Sequence, residues 1–224
     1  MGTAVIVPVK DFGQAKSRLA ALLSPDERQE LATIMLRRVL QAISALDRRI
    51  EKFVVTSFSP AIELARSLGI KAMVESRQVS ESDSVDRASL TLENDGFEAV
   101  LRVPLDLPFV APADLELLLK AQEKGLQGVL VPSLDGTGTN ALYRSPPSLF
   151  ASRFGPGSLA AHEASLIQLG VPYAVMACPS LALDVDDPSD VANLLEEPRN
   201  SPAKQFLLAI GARQRLAALN RERA

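Results

Sequence analysis

Four stretches of this sequence place residues that handle anions or hard cations where a folded crevice could use them. In VPVKDFGQAKSRL, residues 7–19, Lys10, Lys16 and Arg18 surround Gly13 directly after a strand-like apolar run. A strand-to-helix turn carrying free amides and cations is a phosphate-binding arrangement. The motifs GxxxxGK[ST] and GxGxxG are both missing, so the turn is no P-loop and no dinucleotide fingerprint; the spacing alone fits a solvated turn equally well. In RVPLDLPFVAPADL, residues 102–115, Asp106 stands at the end of a strand between apolar neighbours. A carboxylate there enters the ligand crevice and suits a hard cation such as Mg²⁺, whereas Asp114 fits a helix cap. In LALDVDDPSDVANLL, residues 181–195, Asp184 and Asp186 alternate along an expected strand. Facing Asp106, they would complete a site for Mg²⁺ on a triphosphate. Asp187 and Asp190 fall at a helix N-terminus, where acids complement the helix dipole.

The fourth stretch, residues 133–162, contains GTGTNAL and FGPGS. Gly136 to Thr139 form a small hydroxyl-rich turn before a strand. Gly155, Gly157 and Ser158 precede a helix whose amides would be open to a carboxylate or phosphate. A hairpin and an ordinary serine cap are the plain alternatives. His162, the single histidine, lies one turn into that helix, where it either approaches an anion or covers the helix surface. With one histidine and one cysteine, Cys178, the chain offers no Ser-His-Asp set, CxxC or HExxH. Triad hydrolysis and zinc chemistry are therefore poorly supported.

These residues need a frame, and the apolar runs supply one. Strands are expected at Ala4–Val9, Phe53–Ser57, Lys71–Val74, Ala99–Val103, Gly128–Pro132, Asn140–Tyr143, Tyr173–Ala177 and Leu181–Val185. The clearest helix starts at Ser24-Pro25-Asp26-Glu27 and buries Leu31, Met35, Leu36, Val39, Leu40, Ile43 and Leu46 at a 3.6-residue period. Further helices fit Pro60–Leu68, Asp83–Leu92, Ala113–Gln122, Ser158–Leu169 and Pro188–Leu195. Such alternation gives an α/β fold, a Rossmann-like, mostly parallel sheet with helices on both faces, which binds ligands beyond the carboxyl ends of its strands.

The 224 residues suit a domain of residues 1–196 followed by a basic helical tail, residues 197–224, with the cations Arg199, Lys204, Arg213, Arg215, Arg221 and Arg223. That tail is expected to dock as a terminal helix or dimer contact, with a basic lid over an anionic substrate as the alternative. A net charge of −3 argues against nucleic acid as a partner. No apolar run reaches membrane-spanning length and no signal peptide is apparent, and with a lone cysteine this points to a soluble, cytoplasmic protein; the dimer-contact reading of the tail would make it a homodimer.

VPVKDFGQAKSRL, VPLDLP, GTGTNAL, FGPGS followed by AAH, and LDVDDPSD, in this order over residues 4–195, together resemble the guanylyltransferases of coenzyme F-420 biosynthesis. These are a branch of the MobA-like nucleotidyltransferases. The resemblance implies the MobA-like nucleotide-diphospho-sugar transferase fold and a reaction of GTP with Mg²⁺. It also implies an acceptor that is a small phosphorylated acid: phosphoenolpyruvate, 2-phospho-L-lactate or 3-phospho-D-glycerate. Pyrophosphate would leave. Lys10, Lys16 and Arg18 match the nucleotide-phosphate loop, and Asp106 with Asp184 or Asp186 the metal-binding acids. Thr139, Gly155 and Ser158 match residues that hold the acceptor. One departure is SDSVDRAS, where many members carry Gly-Leu-Asn-x-Ala near the nucleoside; Ser84, Val85 and Asp86 stand there instead, so the resemblance does not carry over the base and ribose contacts or the preference for guanine. Rival readings are another MobA-like nucleotidyltransferase with a molybdopterin or sugar-phosphate acceptor, although the GGxSxRMG-type loop is missing, and a non-catalytic nucleotide-binding protein.

Overall fold

The structure is a computed structural model that describes residues 2–14 and 16–222. Seven strands form its sheet: β1 (Thr3–Pro8), β2 (Glu51–Thr56), β3 (Lys71–Val74), β4 (Ala99–Arg102), β5 (Gly128–Pro132), β6 (Thr139–Arg144) and β7 (Tyr173–Val175). Their order is β3-β2-β1-β4-β6-β5-β7, and only β6 runs antiparallel to its neighbours. The chain winds outward in both directions from β1 and β4. The crevice at their carboxyl ends is the topological switch point.

Alternation along β1 assigns the two faces. Val5 and Val7 pack with Leu36, Leu40 and Ile43 of α1 (Pro25–Ser44), and with α2 (Ser59–Ser67) and α4 (Pro112–Leu119). Ala4 and Ile6 pack on the opposite face with Val85, Ala88 and Leu92 of α3 (Glu81–Asn94). Beside α3, α5 (Ser158–Leu169) sets Leu166 against Leu130 and Leu142. The start of α1 is as the sequence predicts: Ser24 and Glu27 form a reciprocal capping box and Pro25 occupies the first turn.

The expected strand at Leu181–Val185 does not form. Pro179–Ala182 make a short helix, α6, and residues 183–187 continue without sheet pairing. The reason is a side chain. Asn140 Nδ2 donates to the Leu181 and Ala182 carbonyls at 2.9 and 2.8 Å, so an amide on β6 takes the place of a strand partner.

Beyond it lie α7 (Pro188–Glu196), α8 (Pro202–Ala209) and α9 (Ala212–Glu222). Leu207, Ala212 and Leu216 join Leu31 and Met35 of α1 and Leu194 of α7 in one buried cluster. Four of the tail cations are engaged by the protein. Arg215 pairs with Glu27, Arg213 donates to the Leu195 carbonyl, Lys204 donates to the Glu197 carbonyl, and Arg199 pairs with Glu197 and lies over Phe109. Arg223 lies outside the described residues. Among the described residues no helix is long and apolar enough to cross a membrane.

Candidate active site

Asp106, Asp184 and Asp186 converge beyond β1 and β4, each offering an oxygen, and those oxygens all lie within 4.8 Å of one another. Asp106 follows β4 by four residues, carried by the VPLDLP turn. The other two are placed by the unpaired segment after α6. Asn140 Nδ2 donates to Asp184 Oδ1 at 3.1 Å, and Asp190 Oδ2 accepts the amides of Asp186 and Asp187 at 2.9 Å. Asp190, which the sequence assigns only to the helix dipole, thus also braces the loop that carries Asp186.

Lys16 is the resident counter-charge. Its Nζ lies 2.8 Å from Asp106 Oδ2 and 2.8 Å from Asp186 Oδ1, and its side chain is 6% exposed. The backbone at Lys16 is left-handed (φ 54°), which is uncommon for a side-chain-bearing residue, and the two ion pairs hold it there. Burial opposes its charge, but the two carboxylates outweigh that and raise the ammonium above its ordinary value. Burial alone would likewise raise Asp106; the charge and hydrogen bond of Lys16, with Arg102 nearby, hold it below the usual carboxylate range. Asp184 is pushed up to about 6 by burial and by the Asp106 and Asp186 charges, against the Asn140 hydrogen bond. Three carboxylates against one ammonium leave a formal charge of −2. Asp106 Oδ1 is buried without a partner. Hard oxygen donors, excess negative charge and an orphaned oxygen fit a divalent metal ion.

Two cavities meet at this cluster. The larger, about 850 Å³, is lined by Lys10, Gly13, Lys16, Gln78 and Ser84. The smaller, about 610 Å³, is lined by Arg18, Arg102, Thr139, Gly155, Ser158 and Asp184. Pro8, Glu81, Leu105, Asp106 and Asp186 line both. The cations expected to act as one set are therefore divided: Lys10 and Lys16 face one cavity and Arg18 the other.

The FGPGS turn differs from its expectation. Gly157 adopts the left-handed conformation that starts α5 (φ 73°), and Gly155 also has positive φ (122°). Two of the amides expected to be open are already used, Ser158 N–H by the Gly155 carbonyl and Leu159 N–H by the Thr137 carbonyl. What the turn offers the cavity includes the Ser158 side chain. In GTGTNAL, the Thr137 hydroxyl is taken by Asp135, whereas Thr139 Oγ1 lies 3.0 Å from His162 Nδ1. His162 is fully buried rather than on the helix surface.

Of the departure at SDSVDRAS, Ser84 lines the larger cavity and Val85 is in the core. Asp86 turns away from both cavities to accept the Ser152 amide and pair with Arg144. The sequence reading missed Arg102. It is 4% exposed, donates to the Thr139 and Asn140 carbonyls, pairs with Glu81 and lies 4.1 Å from the Phe154 ring centroid. A charge at the end of the apolar run AVLRVP was the available signal.

Comparison with known proteins agrees with this geometry. The family described as "Guanylyl transferase CofC like" matches residues 3–222. The phosphoenolpyruvate guanylyltransferase of Rubrobacter xylanophilus is 36% identical over 87% of this chain and 94% of its own length. The 2-phospho-L-lactate guanylyltransferase of Methanothermobacter thermautotrophicus is 29% identical over 92% and 90%. The 3-phospho-D-glycerate guanylyltransferase of Colwellia psychrerythraea is 29% identical over 85% and 90%. A solved structure from Desulfovibrio desulfuricans G20, named as a nucleotide-diphospho-sugar transferase, superposes with a TM-score of 0.76 at 16% identity, covering 95% of this chain and 97% of that one, which shows the shared fold. The chain belongs to the CofC-like guanylyl transferase family.

Proposed function

We propose that this enzyme joins the GMP moiety of GTP to the phosphate of a small phosphorylated carboxylic acid, with pyrophosphate leaving, as a step of coenzyme F-420 biosynthesis. The acid is one of phosphoenolpyruvate, 2-phospho-L-lactate and 3-phospho-D-glycerate, the acceptors named for the relatives. The observation that carries this reading is the meeting of two cavities, each lined by cations, at Asp106 and Asp186. The larger suits the nucleotide and the smaller the acid.

An oxygen of the acid's phosphate attacks the α-phosphorus of GTP. The new P–O bond forms as the bond to the β-bridging oxygen breaks, and its electron pair leaves with pyrophosphate. Phosphate is already ionised at neutral pH, so no general base is required. The physical problem is repulsion between two anions, and catalysis is positioning and charge neutralisation. Lys10 and Lys16 serve the triphosphate. Arg18, on the acid's side, serves the acceptor together with Thr139, Gly155 and Ser158. Asp106, Asp184 and Asp186 would hold Mg²⁺, which when bound supplies charge stabilisation to phosphate oxygens.

The test is pyrophosphate release with GTP and Mg²⁺, run separately with the three acids. Release with one acid supports the reading and identifies the acceptor. Silence with all three overturns it.

A further inference from the structure

His162 is the single histidine of the chain, is fully buried, and has a hydrogen bond at each ring nitrogen. The Arg153 backbone amide donates to Nε2 at 2.9 Å. An amide N–H can only donate, so Nε2 is an acceptor and carries no proton. In the neutral ring the proton is then on Nδ1, which lies 3.0 Å from Thr139 Oγ1. Thr139 Oγ1 is therefore the acceptor in that bond. Its own hydroxyl proton has no other acceptor among the described residues, and Thr139 lines the smaller cavity.

The ring cannot easily turn over. Phe154 meets it edge-on with centroids 5.2 Å apart, and Phe150 lies 5.7 Å away. Burial, with the buried Arg144 and Arg102 nearby, disfavours a charged imidazole.

We propose that His162 is a positioning residue: held in the Nδ1–H tautomer by the Arg153 amide, it keeps the Thr139 hydroxyl proton aimed into the acid's cavity, as a donor to an acceptor group. A carboxylate or a phosphate oxygen fits that corner, and an ammonium, which has no lone pair to accept with, does not. This deepens the reading above and rests on it, since it assigns the smaller cavity to the acid.

The test has two arms. In the first, ¹⁵N spectra of the one histidine in the ligand-free wild-type protein report the tautomer directly. A protonated Nδ1 and an unprotonated Nε2 are expected; the reverse pattern overturns the proposal. This arm needs no substrate and no variant.

The second arm compares His162→Gln, which keeps an acceptor near Nε2 and loses the donor to Thr139, with His162→Asn, which keeps a donor near Nδ1. With the acid that supports release, His162→Gln raises the KM for the acid about ten-fold, the worth of one hydrogen bond to a charged group, and leaves the KM for GTP unchanged. His162→Asn recovers part of that loss, and adding Thr139→Val to His162→Gln costs little more. An unchanged KM for the acid in a folded His162→Gln, or fully additive losses with Thr139→Val, overturns the proposal. A wild-type enzyme inactive with every acid defeats the proposed function instead, and the spectrum still decides the tautomer.

Discussion

The Asn140 side-chain amide joins Asp184 to the sheet: Nδ2 lies 3.1 Å from Asp184 Oδ1 and also holds the Leu181 and Ala182 carbonyls. One side chain thus shapes the backbone and aims a carboxylate. Groups that orient metal ligands commonly carry 10–100-fold of the metal affinity. Asn140→Ala is accordingly expected to raise the Mg²⁺ concentration needed for half-maximal pyrophosphate release about 10–100-fold. A magnesium titration unchanged from wild type would remove Asn140 from the site.

Asp106 has the fewest alternative roles, because its side chain is only 16% exposed, is bonded to Lys16 and has one oxygen left unpartnered. Asp106→Asn keeps the shape and removes the charge. Turnover is expected to fall by about 10²–10³ or more, with the far-UV spectrum and thermal midpoint close to wild type. Wild-type turnover in that variant would end its assignment to the metal.

Lys16 gives a prediction with two readouts of opposite sign. Its ammonium bridges Asp106 and Asp186, where it competes with any other cation. Lys16→Met should bind Mn²⁺ more tightly in the absence of nucleotide, measured by titration calorimetry. It should also release pyrophosphate more slowly, by about 10²-fold, since the cation assigned to the triphosphate is gone. Weaker metal binding without nucleotide would show that Lys16 supports the cluster rather than substituting for a metal there.

Much of this site was legible in the sequence because the strands are buried on both faces. Val5 and Val7 against Ala4 and Ile6 read as one continuous apolar run, and such runs point to a parallel sheet whose strand ends carry ligands. Asp106 followed from that rule. The path of Asp184 and Asp186 did not, since LALDVDD has a strand's alternation while its backbone partner is the Asn140 side chain, set 41 positions from Leu181. Nor did the division of Lys16 from Arg18: a left-handed residue at Lys16 sends neighbouring cations to different cavities, and spacing along the chain is blind to that turn. For His162 a signal existed and went unused. Leu166, one turn further on, is buried on the same face of α5.

Gly128 marks where α5 approaches the sheet. A Cβ there would meet Leu166 Cδ2 at 2.5 Å, deep in the small cluster with Leu130 and Leu142. Gly128→Ala must displace Leu166 within a packed interior, at a cost of about 1–3 kcal/mol. A urea midpoint equal to that of wild type would show that the cluster has room to yield.

The last prediction concerns acid stability and uses the same buried imidazole. Burial, with Arg144 and Arg102 nearby, lowers His162 to about 4 in the folded protein. In the unfolded chain an imidazole titrates near 6.5. Between those values the unfolded state binds the proton and the folded state does not. Stability contributed by this group is thus intact above about pH 6.5, declines as pH falls, and levels off below about 4. The full difference corresponds to about 3 kcal/mol, of which about 2 kcal/mol is lost by pH 5. Other groups titrate in this range as well, so the comparison is with His162→Gln, which lacks the imidazole and shares the rest. Urea unfolding of both proteins at pH 7 and pH 5 isolates the effect. Wild type should lose about 2 kcal/mol more than the variant on that step, and parallel losses would mean that the imidazole is not held neutral between Thr139 and Arg153.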